Sequence, residues 1–69
     1  MLPTMEVDVG KLKRLRIDHG LTQSELARRA GITPGAVWNL EHRGTGRPDT
    51  LKKIADVLGV RASELVRER

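Results

Sequence analysis

The polar side chains best suited to molecular recognition lie in the middle of this 69-residue sequence. Gln23 and Asn39 carry amides, which donate and accept hydrogen bonds, and Arg43 and Arg47 carry guanidinium groups that suit anionic oxygens. Residues 11–47 hold eight basic and three acidic side chains, whereas the whole chain has a net charge of +4. The excess charge indicates an anionic partner, although a solvated charged surface would give the same composition.

Catalytic and metal-binding chemistry is poorly represented in the sequence. His19 and His42 fall on different predicted helices, no two carboxylates are placed together by their spacing, and there is no cysteine. No phosphate-binding loop or metal-ligand cluster occurs, and so short a chain leaves little room for a substrate pocket. We therefore expect no enzyme, no metal site and no cofactor. The lack of cysteine, of a signal peptide and of a long apolar run predicts a cytoplasmic protein without a membrane segment.

The elements that position these residues are predicted from apolar periodicity and from glycines at helix ends. Together they predict an all-α bundle of five short helices, at about 9–19, 23–30, 34–42, 48–58 and 62–67. The stretch 43–47, with two glycines between basic residues, is predicted to be an exposed loop without regular structure. Met5 to Val9 alternates with period two and is either a short strand or an arm. We divide the chain into an N-terminal arm, 1–8, and a single domain, 9–69.

The second and third predicted helices are joined only by Gly31, Ile32 and Thr33. So short a connection prevents an antiparallel arrangement, and the two helices must cross at a steep angle. Thr22 caps the second helix, while Thr33 caps the third with Pro34 at its first position. This is the geometry of a helix-turn-helix, in which the second of the two helices enters the major groove of DNA.

Several stretches together resemble the Xre/Cro-type helix-turn-helix family of phage repressors and small bacterial regulators. They are Leu-Lys-Arg-Leu-Arg at 12–16, Gly-Leu-Thr-Gln-Ser-Glu-Leu-Ala at 20–27, Ala-Gly-Ile-Thr at 30–33, Leu-Glu at 40–41, Arg-Pro at 47–48 and Ala-Asp-Val-Leu-Gly-Val at 55–60. The resemblance implies a compact five-helix lambda-repressor-like domain with its helix-turn-helix at helices 2 and 3. It implies a transcriptional repressor that binds double-stranded DNA at a palindromic operator. The alternative is a protein-interaction module, such as an antitoxin that neutralises a toxin.

The resemblance also assigns roles to individual residues. Gln23 would hold a phosphate, or else face solvent, and Arg16 and Glu41 would form a partly buried ion pair that orients helix 3. Family members contact the DNA backbone with the loop after helix 3. The candidate DNA-binding residues are Thr22, Gln23, Thr33, Pro34, Gly35, Trp38, Asn39, His42, Arg43, Thr45 and Arg47.

Helix 3 departs from its relatives at its start, where they often carry glutamines. Pro34 and Gly35 offer only backbone and van der Waals contact, which moves base recognition to Thr33, Trp38, Asn39 and His42. Asn39 is the best candidate for a base contact, because an amide can bond adenine at N6 and N7. Trp38 either packs over the loop after helix 3 or lies against the groove, touching sugar or a thymine methyl.

One helix-turn-helix buries little DNA surface, so useful affinity favours a homodimer on two half-sites. The candidate dimer surfaces are helix 5, with Val60, Leu65 and Val66, and the N-terminal arm, with Leu2, Met5 and Val7.

Overall fold

The structure, a computed structural model, describes residues 4–67. Within that range the chain forms four α-helices, two short strands and one 3-10 turn. In chain order these are β1 (Met5–Glu6), α1 (Val9–Asp18), α2 (Gln23–Ala30), α3 (Pro34–Arg43), β2 (Thr45–Gly46), α4 (Pro48–Leu58) and the 3-10 turn (Ala62–Leu65). Residues 1–3, with Leu2 of one candidate dimer surface, and residues 68–69 lie outside the described part of the chain.

The segment predicted as a fifth helix is a single 3-10 turn, Ala62–Leu65. The backbone N–H of Glu64 closes the turn by donating to the carbonyl oxygen of Arg61 at 3.0 Å. The next residue, Val66, has the extended angles φ −92° and ψ 135° and forms an antiparallel bridge with Val7. Because that bridge holds Val66 extended, the turn cannot continue as a helix. The prediction of five helices was therefore wrong, and the domain has four helices and this turn.

The connection after α3 is more ordered than the sequence indicated. β1 and β2 pair antiparallel, with Met5 opposite Gly46 and Glu6 opposite Thr45. The prediction that residues 43–47 form an irregular loop was wrong, because β2 lies within them and the first of them still belongs to α3. A strand of two residues carries almost no pattern of its own, and its partner comes from the far end of the sequence.

The N-terminal segment continues from β1 into the core. The backbone N–H of Val7 donates to the carbonyl oxygen of Gly44 at 2.9 Å, and that of Asp8 donates to Leu65 at 2.8 Å. Val7 and Leu65 are both buried, so they cannot supply the exposed dimer surfaces for which they were candidates. Of the other candidates, Met5 is exposed, whereas Val60 and Val66 are partly buried against the core.

The core is aliphatic throughout the described residues. α4 presents one apolar face through Leu51, Ile54, Ala55 and Leu58, which are all buried at helical spacing. The remaining core residues come from the other three helices, the 3-10 turn and two connecting segments, and are Val7, Leu12, Leu21, Leu26, Ala27, Val37, Leu40 and Leu65. Among residues 4–67, none of the helices has the length and apolar character that crossing a membrane requires.

Candidate nucleic-acid interface

α2 and α3 are joined by a tight turn whose geometry depends on one glycine. Gly31 has φ 71° and ψ 31°, a left-handed conformation that residues with a Cβ adopt reluctantly. The following N–H, from Ile32, donates back to the carbonyl oxygen of Ala27 at 2.9 Å. Ala27 is itself fully buried and belongs to the core. The predicted helix-turn-helix is confirmed.

The two threonines predicted as caps perform that role at the starts of α2 and α3. Thr22 Oγ1 accepts the backbone N–H of Glu25 at 3.1 Å, and Glu25 Oε1 accepts the backbone N–H of Thr22, also at 3.1 Å. Thr33 Oγ1 accepts from the N–H of Ala36 at 3.2 Å. Both hydroxyl oxygens are therefore engaged in fixing the helix starts. A contact from either threonine to DNA would be additional to this structural role.

Three helices meet at one buried carboxylate, that of Glu41 on α3. Arg16 on α1 donates through Nε to Glu41 Oε2 at 2.7 Å and through Nη2 to Oε1 at 3.2 Å. Its Nη1 donates to the carbonyl oxygen of Leu21 at 2.9 Å, which ties the α1–α2 turn to the same point. The side chain of Glu41 is fully buried, and that of Arg16 is 14% exposed. The expected ion pair is confirmed.

Gln23 also belongs to this network, which the sequence did not indicate. Its Nε2 donates to Glu41 Oε1 at 3.0 Å from the first turn of α2. Burial acts to raise the pKa of Glu41, but the hydrogen bonds from Arg16 and Gln23, together with the positive charges of Arg16 and Lys13, hold the pKa below its ordinary value. Gln23 keeps a second amide proton and its oxygen. The structure thus gives Gln23 a role in orienting α3, and a phosphate contact would use the remaining groups.

The backbone at the start of α2 presents donors beside Gln23. The N–H groups of Gln23 and Ser24 lie in the first turn, where no carbonyl of the preceding turn can reach them. No hydrogen bond to either N–H occurs among residues 4–67. An oxyanion is a suitable partner for such groups, because the helix dipole adds a partial positive charge there.

α3 has one buried face and one exposed face. Val37, Leu40 and Glu41 are buried, and they fix the helix against the domain. The candidate DNA-binding residues on the outward face of α3 are all exposed, namely Pro34, Gly35, Trp38, Asn39 and His42. The outward face therefore stands clear of the protein for most of its length.

The ring of Trp38 lies on its own helix instead of over the connection to α4. It stacks on the imidazole of His42, with ring centroids 3.9 Å apart and planes inclined by 11°. His42 Nδ1 lies 2.9 Å from the carbonyl oxygen of Trp38, and since a carbonyl only accepts, Nδ1 carries the proton of this bond. The spacing of four residues on a helix is the signal that could have predicted this stack.

The three candidate residues at and after the end of α3 are exposed and differ in their surroundings. Arg43 forms no ion pair with any acidic side chain of residues 4–67. Thr45 lies in β2, where its pairing with Glu6 fixes the backbone. Arg47 Nε lies 3.5 Å from Asp49 Oδ1, an exposed pair of the kind that contributes little and leaves the guanidinium accessible.

Gly44 and Gly46 have structural roles in the connection after α3. Gly44 ends α3 in the left-handed conformation, with φ 72°, and its carbonyl oxygen accepts from Val7. At Gly46 a Cβ would come within 2.1 Å of Leu40 Cδ2. Both glycines are thus needed to fold the connection tightly against the core.

Comparison with known proteins gives a family and several similar structures. The Helix-turn-helix family, HTH_3, matches residues 12–65. The N-terminal DNA-binding domain of SinR from Bacillus subtilis is 27% identical, with a TM-score of 0.80 over 88% of this chain and 91% of that one. SinR in complex with DNA, described as the master regulator for biofilm formation, is 26% identical, with a TM-score of 0.73 over 80% of this chain and 90% of that one.

A third structure, a complex of SinR with SinI, is 29% identical and has a TM-score of 0.75. The similarity covers 87% of this chain but 60% of the matched one, which therefore extends beyond the shared domain.

Proposed function

The chain belongs to the Xre/Cro-type helix-turn-helix family, and on that premise we propose that it is a sequence-specific DNA-binding transcriptional repressor. It binds a palindromic operator as a homodimer, with α3 of each protomer in the major groove. The observation that carries the proposal is the division of α3 into two faces. One face is held by a buried carboxylate that three helices share, and the other is exposed along the helix.

Each group of candidate residues has a role that follows from its surroundings. Asn39 on the outward face contacts a base, because its amide can pair with adenine N6 and N7. The N–H groups at the start of α2, with the free proton of Gln23, hold one phosphate. Arg43, at the C-terminal end of α3, and Arg47, just after β2, contact other phosphates. The pairing of β1 with β2 fixes the backbone between these two arginines. These contacts favour binding to the duplex and leave base discrimination to α3.

Selection of bound sites from random duplex DNA tests the proposal most directly. We expect enriched sequences with two inverted half-sites whose centres lie about 10 base pairs apart, or a multiple of that distance. Equilibrium sedimentation with and without the selected duplex tests the homodimer. Recovery of no preferred sequence, or of an unpaired half-site bound by one protomer, would contradict this part of the proposal.

Salt dependence separates phosphate contacts from base contacts. The logarithm of the affinity should fall with the logarithm of the salt concentration, by about 0.9 for each phosphate neutralised. Arg43→Ala should lower the affinity for all sequences and reduce this slope by about one. Asn39→Ala should instead relax the preference at one base pair, with a cost of about 1–3 kcal/mol. Arg61→Ala is the matched control, since Arg61 is exposed and precedes the 3-10 turn, away from the helix-turn-helix in sequence.

A protein partner is the second candidate, and the complex of SinR with SinI is the observation that favours it. This domain would then act as a binding module, for example as an antitoxin against a toxin. Either a DNA affinity that does not change with salt concentration or the absence of DNA binding at low salt would favour this function over operator binding. The two functions are compatible, because a partner could bind a surface other than the outward face of α3.

A further inference from the structure

The outward face of α3 carries its largest side chains beyond its first turn. Pro34 and Gly35 occupy the first turn and present little beyond backbone, whereas Trp38 and His42 form a stacked pair over the following turns. Trp38 is 48% exposed, although it is the only aromatic residue in a chain whose core could have taken it. A large aromatic ring that is exposed to solvent on this helix indicates a function other than packing in the core.

The position of the pair on the helix fits contact with DNA. Successive residues of an α-helix are about 100° apart around its axis. By this measure His42 lies within about 40° of the direction opposite the buried residues, and Trp38 lies next to His42 at the edge of the outward face. The buried residues that define this direction are Val37, Leu40 and Glu41. A duplex that receives the outward face of α3 therefore meets both rings.

The two rings have defined and different chemistry. The bond from His42 Nδ1 to the carbonyl oxygen of Trp38 fixes the imidazole, so Nε2 of the neutral ring carries a lone pair. No group among residues 4–67 forms a hydrogen bond with His42 Nε2 or with the indole of Trp38. The pair thus places an apolar surface next to an unused hydrogen-bond acceptor.

We propose that the Trp38–His42 stack reads an A·T base pair in the major groove. Its indole contacts the thymine methyl group, and His42 Nε2 accepts a hydrogen bond from the N6 amino group of adenine. An A·T pair is the natural pair that offers both a methyl and an amino group on this edge. A G·C pair also presents an amino group on this edge, that of cytosine N4, but it has no methyl group, so the contact with the indole would be lost. This inference rests on the proposed operator binding and names one of the base pairs read.

The test starts from a duplex selected from random DNA, assayed at pH 8, where histidine is ordinarily neutral. Each thymine of the site is replaced singly by deoxyuridine, which lacks only the methyl group, and the affinity is measured by fluorescence anisotropy. At one position in each half-site we expect a loss of about fourfold, the contribution of one buried methyl group. Trp38→Ala should remove the sensitivity at that position, and Trp38→Phe should retain part of it.

The amino group is tested in the same way. Replacing the paired adenine by deoxynebularine removes the N6 amino group, and we expect a loss of about fivefold that His42→Ala abolishes. His19→Ala is a matched control, because His19 Nδ1 makes the same bond to a carbonyl four residues earlier, Leu15, at 2.8 Å on α1. Ile17→Ala, at an exposed apolar residue of α1, is the control for Trp38→Ala.

The outcomes separate this inference from the proposed function. If a selected site binds tightly but deoxyuridine has no effect at any position, the A·T contact is refuted and operator binding stands. The same holds if Trp38→Ala, folded by circular dichroism, keeps the wild-type pattern of sensitivity. If no preferred sequence is recovered, operator binding is refuted and this inference with it.

Discussion

Replacing Glu41 by alanine is the most informative perturbation of this fold. The carboxylate accepts hydrogen bonds from Arg16 on α1 and from Gln23 on α2, and it is the only buried polar side chain among residues 4–67. In Glu41→Ala the guanidinium of Arg16 would keep only the carbonyl oxygen of Leu21 as a partner. A charge that is 14% exposed would then lie unpaired beside the core.

The expected loss of stability in Glu41→Ala follows from the hydrogen bonds that Arg16 loses. Breaking a buried ion pair by removing one member costs about 3–5 kcal/mol, because the other charge stays buried without compensation. Since Arg16 retains some access to water and one hydrogen bond, we expect the lower end, about 3 kcal/mol. A domain of this size has a total stability of only about 3–10 kcal/mol. Glu41→Ala should therefore lower the melting temperature by about 12–24 °C or unfold the domain.

Urea unfolding followed by circular dichroism at 222 nm measures this cost without depending on the exposed Trp38. Asp56→Ala is the control. Asp56 forms an exposed ion pair with Lys52 on α4, and such a pair contributes about 0.3–0.5 kcal/mol to stability. A double-mutant cycle with Arg16→Ala isolates the pair from the loss of side-chain volume. If Glu41→Ala lowers the urea midpoint no more than Asp56→Ala does, the role assigned to the buried carboxylate is refuted.

Three further predictions concern the stability of the same fold. The pKa of Glu41 lies below its ordinary value of 4.5. The ionised carboxylate should therefore contribute fully to the free energy of unfolding well above pH 4.5, and this contribution should be lost as the pH falls through the native pKa. Urea midpoints from about pH 6 to pH 3 measure this loss, which Glu41→Gln should flatten. Gly46→Ala should cost about 1–3 kcal/mol by forcing Leu40 to move, whereas Gly10→Ala, with only ordinary contacts, should not destabilise. Thr22→Ala should cost about 1 kcal/mol through the lost cap of α2, and Thr22→Ser should restore most of it in thermal melts.

The helices were predictable from the sequence because their signals are local. The capping threonines, Pro34 and the helix-ending glycines act within one turn of the chain, and the structure uses them as the sequence indicated. The Arg16–Glu41 pair was predictable only through the resemblance to a family, since nothing in the spacing of these two residues brings them together. Family membership therefore supplied the one long-range contact that the prediction contained.

The predictions that were wrong depend on pairing between distant segments. The bridge between Val7 and Val66 ends the 3-10 turn, and the pairing of β1 with β2 orders the connection after α3. β2 is too short to show a period of its own, and the alternation of residues 5–9 did not indicate which segment would pair with them. The burial of Val7 and Leu65 follows from the same contacts, so these two residues were wrongly included in the candidate dimer surfaces for the same reason.

The network around Glu41 also explains how α3 can carry unusual residues on its outward face. The position and rotation of the helix are fixed from behind by Val37, Leu40 and the carboxylate of Glu41. None of these contacts involves the exposed residues, so Pro34 and Gly35 can replace larger polar side chains without loosening the helix. The rings of Trp38 and His42 gain their order from each other and from the backbone of α3 itself. Residues on the outward face of α3 can therefore be substituted while the opposite face continues to hold the fold.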